Sequence, residues 1–259
     1  MTTLLFLHAH PDDESILTGA TIAKAKHHGA RVIVAFATQG DAGETSADLG
    51  GESIGDRRER EARAACDSLG VDRVIFLGFR DSGMEGTETT SHPEAFTNLG
   101  LDHISATLVE AMQSEAVDAI IGYDANGHYG HPDHIKIHAA AHATAATINS
   151  DWVIDVTYDR ERFRGDDSPY ENVDDSFGSG ADEITHIVRG EQWAEAKLTA
   201  LMHHMSQVPD DFDAESDESM QSFRDAFAQE WHIVRAVSSS ADFTALAEIF
   251  DPYEGAAEK

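Results

Sequence analysis

Four short apolar runs divide the first half of the chain, and a longer segment with helical spacing follows each of them. The runs span residues 3–7, 31–38, 73–77 and 116–121. Apolar runs of this length, rich in β-branched and aromatic residues, are typical of strands buried in a parallel sheet. The segments that follow predict helices at residues 15–28, 56–69, 101–114 and 135–148. This alternation predicts an α/β fold, a Rossmann-like three-layer sandwich with a mostly parallel sheet.

The second half of the chain is less regular. Apolar runs predict strands at residues 152–158 and 184–188, and helical spacing predicts helices at 192–206 and 223–233. Two acidic segments, 160–182 and 210–219, are predicted to be irregular. No segment has the composition of an interdomain linker. We therefore expect a single domain over residues 1–259, with a core at about 3–207 and a helical C-terminal extension at about 208–254.

Polar residues crowd the end of the first predicted strand. The sequence HAHPDDE, residues 8–14, joins that strand to the first helix. In open α/β sheets, ligands bind outside the carboxyl ends of the strands. Carboxylates crowded in such a turn repel one another unless a positive group joins them, and a divalent metal ion is the simplest candidate. The turn lacks the glycine-rich sequence that holds a pyrophosphate, so we expect no dinucleotide cofactor.

A second polar stretch follows the fourth strand and supplies the best candidate for a third metal ligand. Residues 123–134 lead into a helix, and His134 opens that helix at the same end of the sheet as residues 8–14. Two imidazoles and one carboxylate would leave a zinc ion with a position for water, as catalytic zinc requires. A further carboxylate beside that water could accept its proton.

Spacing alone leaves other histidines open as ligands. His134, His138 and His142 recur at i, i+4 and i+8, so a helical H-x-x-x-H pair is an alternative. His128 and His131 in the preceding loop are further candidates. The competing interpretation for each of them is core packing or a polar surface position.

The acidic balance of the chain restricts its partners. Asp and Glu number 48 against 18 Lys and Arg, which gives a formal net charge of −30. Binding to nucleic acid needs a basic surface, so we expect no nucleic-acid partner. Because the hydrophobic content is 41%, the acidic residues indicate a solvated, halophilic surface rather than disorder.

Other bulk features concern location and covalent cross-links. No run of about 18 apolar residues occurs, so we expect no membrane span. The N-terminal residues lack the pattern of a signal peptide, which predicts a cytoplasmic protein. The single cysteine, Cys66, excludes an internal disulfide and a cysteine-rich metal site. The sequence is compatible with a homo-oligomer.

Several motifs together resemble those of the PIG-L/LmbE-like N-acetylglucosaminyl deacetylase family. They fall within residues 3–207 and comprise HPDDE at 10–14, TQGDAGE at 38–44, RRxxE at 57–61, RDSGM at 80–84, GHPDH at 130–134 and KxxALxxHxSQ at 197–207. The resemblance implies a zinc-dependent hydrolase. Its substrate would be a small-molecule amino sugar, an N-acetylglucosamine-type sugar or glycoconjugate, from which it removes the acetyl group.

The resemblance also implies which residues hold the metal. His10, Asp13 and His134 match the family's ligands to Zn²⁺, with one ion per chain, and His8 lies outside that set. Asp12 resembles the general base that accepts a proton from the attacking water. Because two imidazoles and one carboxylate accept several ions, iron, cobalt or manganese could replace zinc.

The remaining matches concern catalysis and the sugar. Tyr129 resembles the tyrosine that stabilises the oxyanion, and His131 the histidine that assists proton transfer. Asp133 resembles a partner that orients an imidazole. The positions that match the sugar pocket are Glu44, Arg58, Asp81 and Met84.

Three questions stay open at the level of sequence. The chain could be an amidase that cleaves a larger glucosamine conjugate, or a non-catalytic sugar-binding relic of an enzyme. Either Asp12 or His131 could protonate the leaving amine.

Overall fold

A single eight-stranded sheet forms the centre of the structure, a computed structural model that describes residues 1–113, 115–162, 177–209, 212–213 and 216–255. Its strands are β1 (Thr3–His8), β2 (Arg31–Thr38), β3 (Arg73–Phe79), β4 (Ala119–Tyr123), β5 (Trp152–Thr157), β6 (His186–Val188), β7 (Glu230–Ala236) and β8 (Asp251–Pro252). The order is β3-β2-β1-β4-β5-β7-β6-β8. The first five strands in this order pair in parallel, and β7, β6 and β8 add antiparallel pairs at one edge.

Helices cover both faces of this sheet. They are α1 (Asp13–Ile16), α2 (Gly19–His27), α3 (Ile54–Ser68), α4 (Leu101–Met112), α5 (Gly127–Gly130), α6 (Pro132–Thr147), α7 (Ala194–Leu201) and α8 (Asp217–Phe227), with 3-10 turns at Phe96–Asn98 and Glu191–Trp193. Alternate residues of β1 and β2 point to opposite faces. One face packs on α2, α3 and α7, and the other packs on α4 and α6. The predicted three-layer α/β sandwich with a mostly parallel sheet is therefore confirmed.

The central strands are buried over nearly their whole length. All six residues of β1 are buried, and β2 has both of its predicted ends. β1 lies between β2 and β4, so its carboxyl end is flanked by the ends of both neighbours. Residues 8–14 and 123–134 consequently meet at one edge of the sheet.

The predicted helix at 15–28 is in fact two helices, α1 and α2. The side chain of Glu230 supplies the reason, because its carboxylate accepts hydrogen bonds from the backbone N–H groups of Ala20 (2.9 Å) and Thr21 (2.8 Å). A carboxylate at this position satisfies the first free donors of α2 and favours a new helix start there.

The predicted helix at 223–233 is wrong over its second half. Helix α8 ends at Phe227, and residues Glu230–Ala236 form strand β7. β7 pairs with β5 and β6, and these partners are remote in sequence, so local spacing gives no sign of them. The expected helical extension at about 208–254 therefore contains two strands, β7 and β8, as well as α8.

The two acidic segments are described only in part. Of the predicted irregular segment 160–182, residues 163–176 lie outside the described part of the chain. The sequence predicts an irregular segment as far as residue 219, but α8 begins at Asp217. Ser216 caps this helix, since its side chain accepts a hydrogen bond from the Ser219 N–H (3.4 Å).

Candidate metal centre and active site

The turn after β1 holds Asp12 in a backbone conformation that residues with side chains rarely adopt. Its φ is 102° and its ψ is −28°, and strain of this kind persists only where neighbouring groups hold it. Glu14 accepts a hydrogen bond from the Asp12 N–H at 2.9 Å. Arg58 donates to the carbonyl of Pro11 at 2.7 Å and lies 3.3 Å from Asp12 Oδ2. The turn is therefore fixed from two sides.

Three predicted metal ligands converge beside this turn. His134 Nε2 lies 3.3 Å from Asp13 Oδ1, and His10 Nδ1 lies 3.6 Å from Asp13 Oδ2. The rings of His10 and His134 are 5.3 Å apart between centroids. All three side chains are almost completely buried. His10 lies in the turn after β1, Asp13 opens α1 and His134 lies in the first turn of α6, so the parallel pairing of β1 with β4 brings them together.

The first turn of α6 contributes further groups. Pro132 occupies the first helical position, and the His131 side chain caps the helix by accepting from the Asp133 N–H at 3.1 Å through Nδ1. Asp133 Oδ2 lies 3.3 Å from His10 Nε2 and accepts from the Ser82 N–H at 3.0 Å. Asp133 therefore orients the His10 ring, and His131 presents its other nitrogen away from the helix.

The donor set fits a divalent cation. Neither ring nitrogen of His134 has a hydrogen-bond partner among the described residues, although both are buried. One nitrogen from each of His10, His131 and His134 lies within 4.8 Å of the other two. Burial raises the pKa of Asp13, but the imidazoles of His134 and His10 outweigh it and hold that pKa well below its usual range. An ionised carboxylate beside buried imidazoles, one of which makes no hydrogen bond within the described part of the chain, is suited to zinc and related ions.

Tyr123, at the end of β4, is a site residue that the sequence did not single out. Its hydroxyl donates to Asp13 Oδ2 at 2.7 Å and accepts from the Ala9 N–H at 3.0 Å. Its ring stacks on that of His134, with centroids 4.0 Å apart and an angle of 12° between the planes. Tyr123 thus positions two of the three candidate ligands. A buried tyrosine before a polar loop resembles ordinary core in a sequence, so no local signal could have identified it.

Glu14 and His204 form a second arrangement that sequence reasoning missed. Glu14 Oε1 lies 2.6 Å from His204 Nε2, and both side chains are buried completely. Both residues belong to motifs of the resemblance, HPDDE and KxxALxxHxSQ, but nothing in their spacing pairs them. His204, which follows α7, contacts Glu14, and Glu14 in turn accepts the hydrogen bond from the Asp12 N–H. His204 therefore supports the strained turn at Asp12 indirectly.

His8 takes part in this network without reaching the ligand cluster. Its Nδ1 lies 3.1 Å from the Tyr123 hydroxyl, and its Nε2 lies 3.0 Å from Thr18 Oγ1. Both ring nitrogens therefore have partners within the protein, and the place of His8 outside the ligand set stays a prediction.

A polar cavity of about 390 Å³ is lined by His10, one of the candidate ligands. Its wall is formed in part by the loop after β2. The predicted sugar-contacting and catalytic residues that line it are Asp12, Glu44, Arg58, Asp81, Met84, Tyr129 and His131. Glu44 and Met84 are exposed at the edge of the cavity, and the ring centroid of Tyr129 lies 4.8 Å from that of His134.

Two of the predicted sugar contacts are already engaged within the protein. Arg58 is buried and donates to the carbonyls of Gly40 (3.0 Å) and Pro11. Asp81 accepts from the N–H groups of Gly83 (2.8 Å) and Ala42 (3.1 Å) and lies 3.6 Å from His10 Nε2. Both side chains therefore hold the cavity wall in place, and a direct role for either in sugar binding stays a prediction.

Asp12 is suited to proton transfer near neutral pH. Burial raises the pKa of its carboxyl to about 6, and the nearby Arg58 opposes that shift. A carboxyl group with a pKa in this range can both accept and release a proton under ordinary conditions.

The other candidate histidines lie elsewhere. His128 is buried 5.1 Å from the ring of Tyr158, and burial lowers the pKa of its imidazole to about 3. His138 and His142 face Asp155 on β5. Of the possible H-x-x-x-H pairs, the structure does not favour His134 with His138, because His138 faces Asp155, and it brings His138 and His142 together beside that carboxylate.

Sequence comparisons relate the chain to known proteins. The profile of a family described as GlcNAc-PI de-N-acetylase, PIG-L, matches residues 5–145. A 1D-myo-inositol 2-acetamido-2-deoxy-alpha-D-glucopyranoside deacetylase of Salinispora arenicola is 45% identical over 149 residues, which are 53% of this chain and 48% of that protein. The protein of the same name from Thermobispora bispora is 36% identical over 239 residues, 79% of each chain. The match thus spans about half of the first relative and about four fifths of the second.

A structural comparison supports the same fold. The N,N'-diacetylchitobiose deacetylase from Pyrococcus horikoshii superposes with a TM-score of 0.62 at 20% identity, covering 95% of this chain and 88% of that one. At this identity the likeness concerns the fold.

None of the helices among the described residues has the length and apolar character that crossing a bilayer requires.

Proposed function

The chain belongs to the GlcNAc-PI de-N-acetylase (PIG-L) family, and we propose that it is a metal-dependent hydrolase that removes the acetyl group from an N-acetylglucosamine-type sugar. The observation that carries this proposal is the convergence of His10, Asp13 and His134 behind a polar cavity that His10 and Asp12 line. The names of the two relatives indicate a substrate in which the acetamido sugar is linked to a polyol, 1D-myo-inositol.

We propose that His10, Asp13 and His134 would hold the ion, zinc in the first instance. A bound divalent ion would polarise the acetyl carbonyl and lower the pKa of water at the site. Asp133 and Tyr123 keep the candidate ligands in place through their contacts with His10 and Asp13. The closeness of imidazoles and carboxylates, all buried, supports this assignment over a purely structural cluster.

Asp12 is the proposed general base. Arg58 engages its Oδ2, so Oδ1 is the oxygen we propose to accept the proton from the attacking water. The same proton can then move to the nitrogen of the leaving amine as the carbon–nitrogen bond breaks. The products are acetate and the free amino sugar, and the carboxylate returns to its ionised form.

Two further side chains of the cavity would act on the reacting carbonyl. The Tyr129 hydroxyl is proposed to donate a hydrogen bond to the developing oxyanion, where a positioned donor is worth about 10²–10³ in rate. His131 uses Nδ1 to cap α6, so its Nε2 is the atom proposed to donate towards substrate. Glu44 and Met84, exposed at the cavity edge, are proposed to contact the sugar.

The test is release of acetate from purified, metal-reconstituted protein. N-acetylglucosamine linked to myo-inositol, free N-acetylglucosamine and N,N'-diacetylchitobiose would be compared, with acetate and free amine measured together. We expect acetate from at least one of them, loss of activity after chelation and recovery with zinc. Free amine from a glucosamine conjugate with a larger acyl group, together with no acetate from the three acetamido sugars, would favour the amidase alternative. No product from any substrate, with metal bound, would contradict the proposal and favour a relic.

Variants separate the proposed base from the proposed ligands. Asp12→Ala should retain the metal and lose at least about 10²-fold in turnover, because general-base catalysis is worth about 10²–10⁴. His134→Ala should lose both metal and activity. Asp67→Ala, on the exposed side of α3, is the control and should keep both. Full turnover in Asp12→Ala would remove that residue from the mechanism.

A further inference from the structure

A second group of metal-binding side chains lies between α6 and β5, outside the cavity. His138 and His142 stand one helical turn apart on α6 and both face Asp155. His142 Nε2 lies 2.9 Å from Asp155 Oδ1, and His138 Nδ1 lies 3.4 Å from the same oxygen. One ligand atom from each residue lies within 4.8 Å of the other two.

We propose that His138, His142 and Asp155 form a second metal site, which takes a divalent transition-metal ion such as zinc. The proposal concerns a site that shares no ligand with the candidate active site. It does not depend on the proposed deacetylase function. Imidazole nitrogens select zinc, cobalt, nickel or copper over magnesium and calcium, which prefer sets of oxygen ligands.

The distances match those of a shared coordination shell. Zinc bonds nitrogen and oxygen at about 2.0–2.2 Å, so ligand atoms around one ion lie about 3.0–3.5 Å apart. The two histidine–Asp155 distances, 2.9 and 3.4 Å, fall close to this range. The main-chain oxygen of Tyr123 lies 2.9 Å from His138 Nδ1 and could serve as a fourth ligand. His142 hydrogen-bonds Asp155 and His138 hydrogen-bonds the Tyr123 carbonyl, so an ion would replace ring protons and its binding would weaken as the pH falls.

Burial and a neighbouring cation prepare the carboxylate for this role. The Asp155 side chain is 1% exposed, and Arg235 from β7 pairs with its Oδ2, which leaves Oδ1 turned towards the two imidazoles. Partners of this kind fix the orientation of a ligating carboxylate. The imidazoles are 23% and 34% exposed, so an ion can reach them from solvent. The positive charge of Arg235 should make this site weaker than the candidate active-site centre.

An ion here would connect α6 to two strands. His138 is one turn beyond His134 on the same helix, and Tyr123 carries both the carbonyl beside His138 and the hydroxyl bound to Asp13. The proposed ion would therefore fix the helix that supplies His134 against the strand that positions Asp13. Its expected effect is on stability and metal content, with acetate release little changed.

Metal stoichiometry tests the proposal. Chelator-treated full-length protein would be dialysed against zinc at pH 7.5, and bound zinc per chain would be counted by atomic emission. His142→Ala should bind one zinc ion fewer than the unaltered chain. The difference should persist when both carry His134→Ala, because that substitution removes only the proposed active-site ion. His203→Ala, an exposed histidine outside the cluster, is the matched control and should lose none.

Further measurements keep the outcomes distinct. Acetate release by His142→Ala should stay within about twofold of the unaltered chain, and its circular dichroism should match. His142→Asn provides a second variant if the alanine variant fails to fold. Equal zinc counts with and without His142, or retention of magnesium in place of zinc, would overturn the second site. If no substrate released acetate, the proposed deacetylase function would be contradicted. The zinc counts would still show whether the second metal site exists.

Discussion

Tyr123 shows how one buried side chain can organise a polar site. Its hydroxyl joins Asp13, the Ala9 N–H and His8, while its ring stacks on His134. Burial and the neighbouring Asp13 raise the pKa of this hydroxyl well above its usual range, so it stays protonated and can keep donating to Asp13. Loss of a group that orients a ligand in this way typically lowers metal affinity by about 10–100-fold.

Replacing Tyr123 with phenylalanine separates the hydroxyl from the ring. Tyr123→Phe keeps the ring beside His134 and removes the donor to Asp13, so we expect zinc affinity to fall about 10–100-fold. Competition with a chromophoric chelator measures this. Tyr253→Phe is the control, because that hydroxyl donates to Asp159 (2.8 Å) and touches none of the ligands. Equal affinities in Tyr123→Phe and the unaltered chain would show that stacking alone orients the site.

The sequence predicted the chemistry of individual residues better than their internal partners. Clusters of ligand types after predicted strands indicated the region, the family resemblance selected His10, Asp13 and His134, and the structure brings these three together. Their roles as ligands stay predictions. Tyr123 and His204 act through contacts with residues more than 100 positions away, which a motif does not encode.

At the scale of elements, Glu230 connects the C-terminal strands to the start of α2. Its carboxylate accepts from Ala20, Thr21 and Lys197 Nζ (2.7 Å). The Lys197 and Glu230 side chains are 1% and 2% exposed. A buried ion pair is costly to break, because the remaining charge is left without a partner.

We expect Glu230→Ala to destabilise the fold by about 3–5 kcal/mol. The substitution leaves the buried Lys197 ammonium without its carboxylate partner and removes the cap of α2. Urea unfolding measures the change. The double variant Lys197→Met, Glu230→Gln should recover part of the loss because no unpaired charge is left. Glu59→Ala, which breaks an exposed pair with Arg63, should cost less than about 1 kcal/mol. A small effect in Glu230→Ala would contradict the role assigned to this contact.

His232, on β7, makes the stability of the fold depend on pH. Burial, helped by nearby His186 and Lys197, lowers the pKa of its imidazole from 6.5 to about 3. In the unfolded chain this imidazole binds a proton below about pH 6.5, whereas in the folded chain it binds one only below about pH 3. The free energy of unfolding therefore falls as the pH decreases from 6.5 towards 3. The slope from one such group is at most about 1.4 kcal/mol per pH unit.

His232→Gln should flatten this dependence. Free energies of unfolding measured in urea between pH 4 and 7 should decline less steeply in the variant, by up to about 1.4 kcal/mol per pH unit. His203→Gln, at an exposed position, serves as the control and should leave the slope unchanged. Parallel curves for His232→Gln and the unaltered chain would contradict the neutral, buried state of His232.

The local sequence pattern predicted the strands and helices of the parallel part of the sheet. It failed at the antiparallel edge, where pairing with strands far away in sequence determines the secondary structure. Strand β2 has its predicted ends because seven consecutive residues after Arg31 are apolar or β-branched and are buried between two layers of helices. The segment 223–233 keeps helical spacing of apolar residues across the end of α8. Pairing with β5 turns its second half into β7, and this edge of the sheet is assembled from strands far apart in sequence.

At the scale of the whole molecule, the formal charge of −30 governs how the protein responds to salt. The halophilic surface inferred from this charge stays a prediction. Mutual repulsion of surface carboxylates destabilises the folded state, and salt shortens the range of that repulsion from roughly 10 Å at 0.1 M to about 3 Å at 1 M.

We expect the melting temperature to rise as KCl is increased from about 0.1 to 2 M. Differential scanning calorimetry measures it, with sucrose at equal osmolality as the control for effects unrelated to charge. The rise should be larger in KCl than in sucrose. A melting temperature indifferent to KCl would contradict self-repulsion as a significant term in the stability of this fold.

The central claim is that His10, Asp13 and His134 bind one catalytic cation at the carboxyl end of β1. Anomalous diffraction at the zinc absorption edge, from crystals grown with zinc, tests it most directly. The account predicts an anomalous peak about 2.0–2.2 Å from one atom of each of the three side chains. Side chains that point apart, or a crystal in which zinc occupies other positions and leaves these three unbridged, would contradict it.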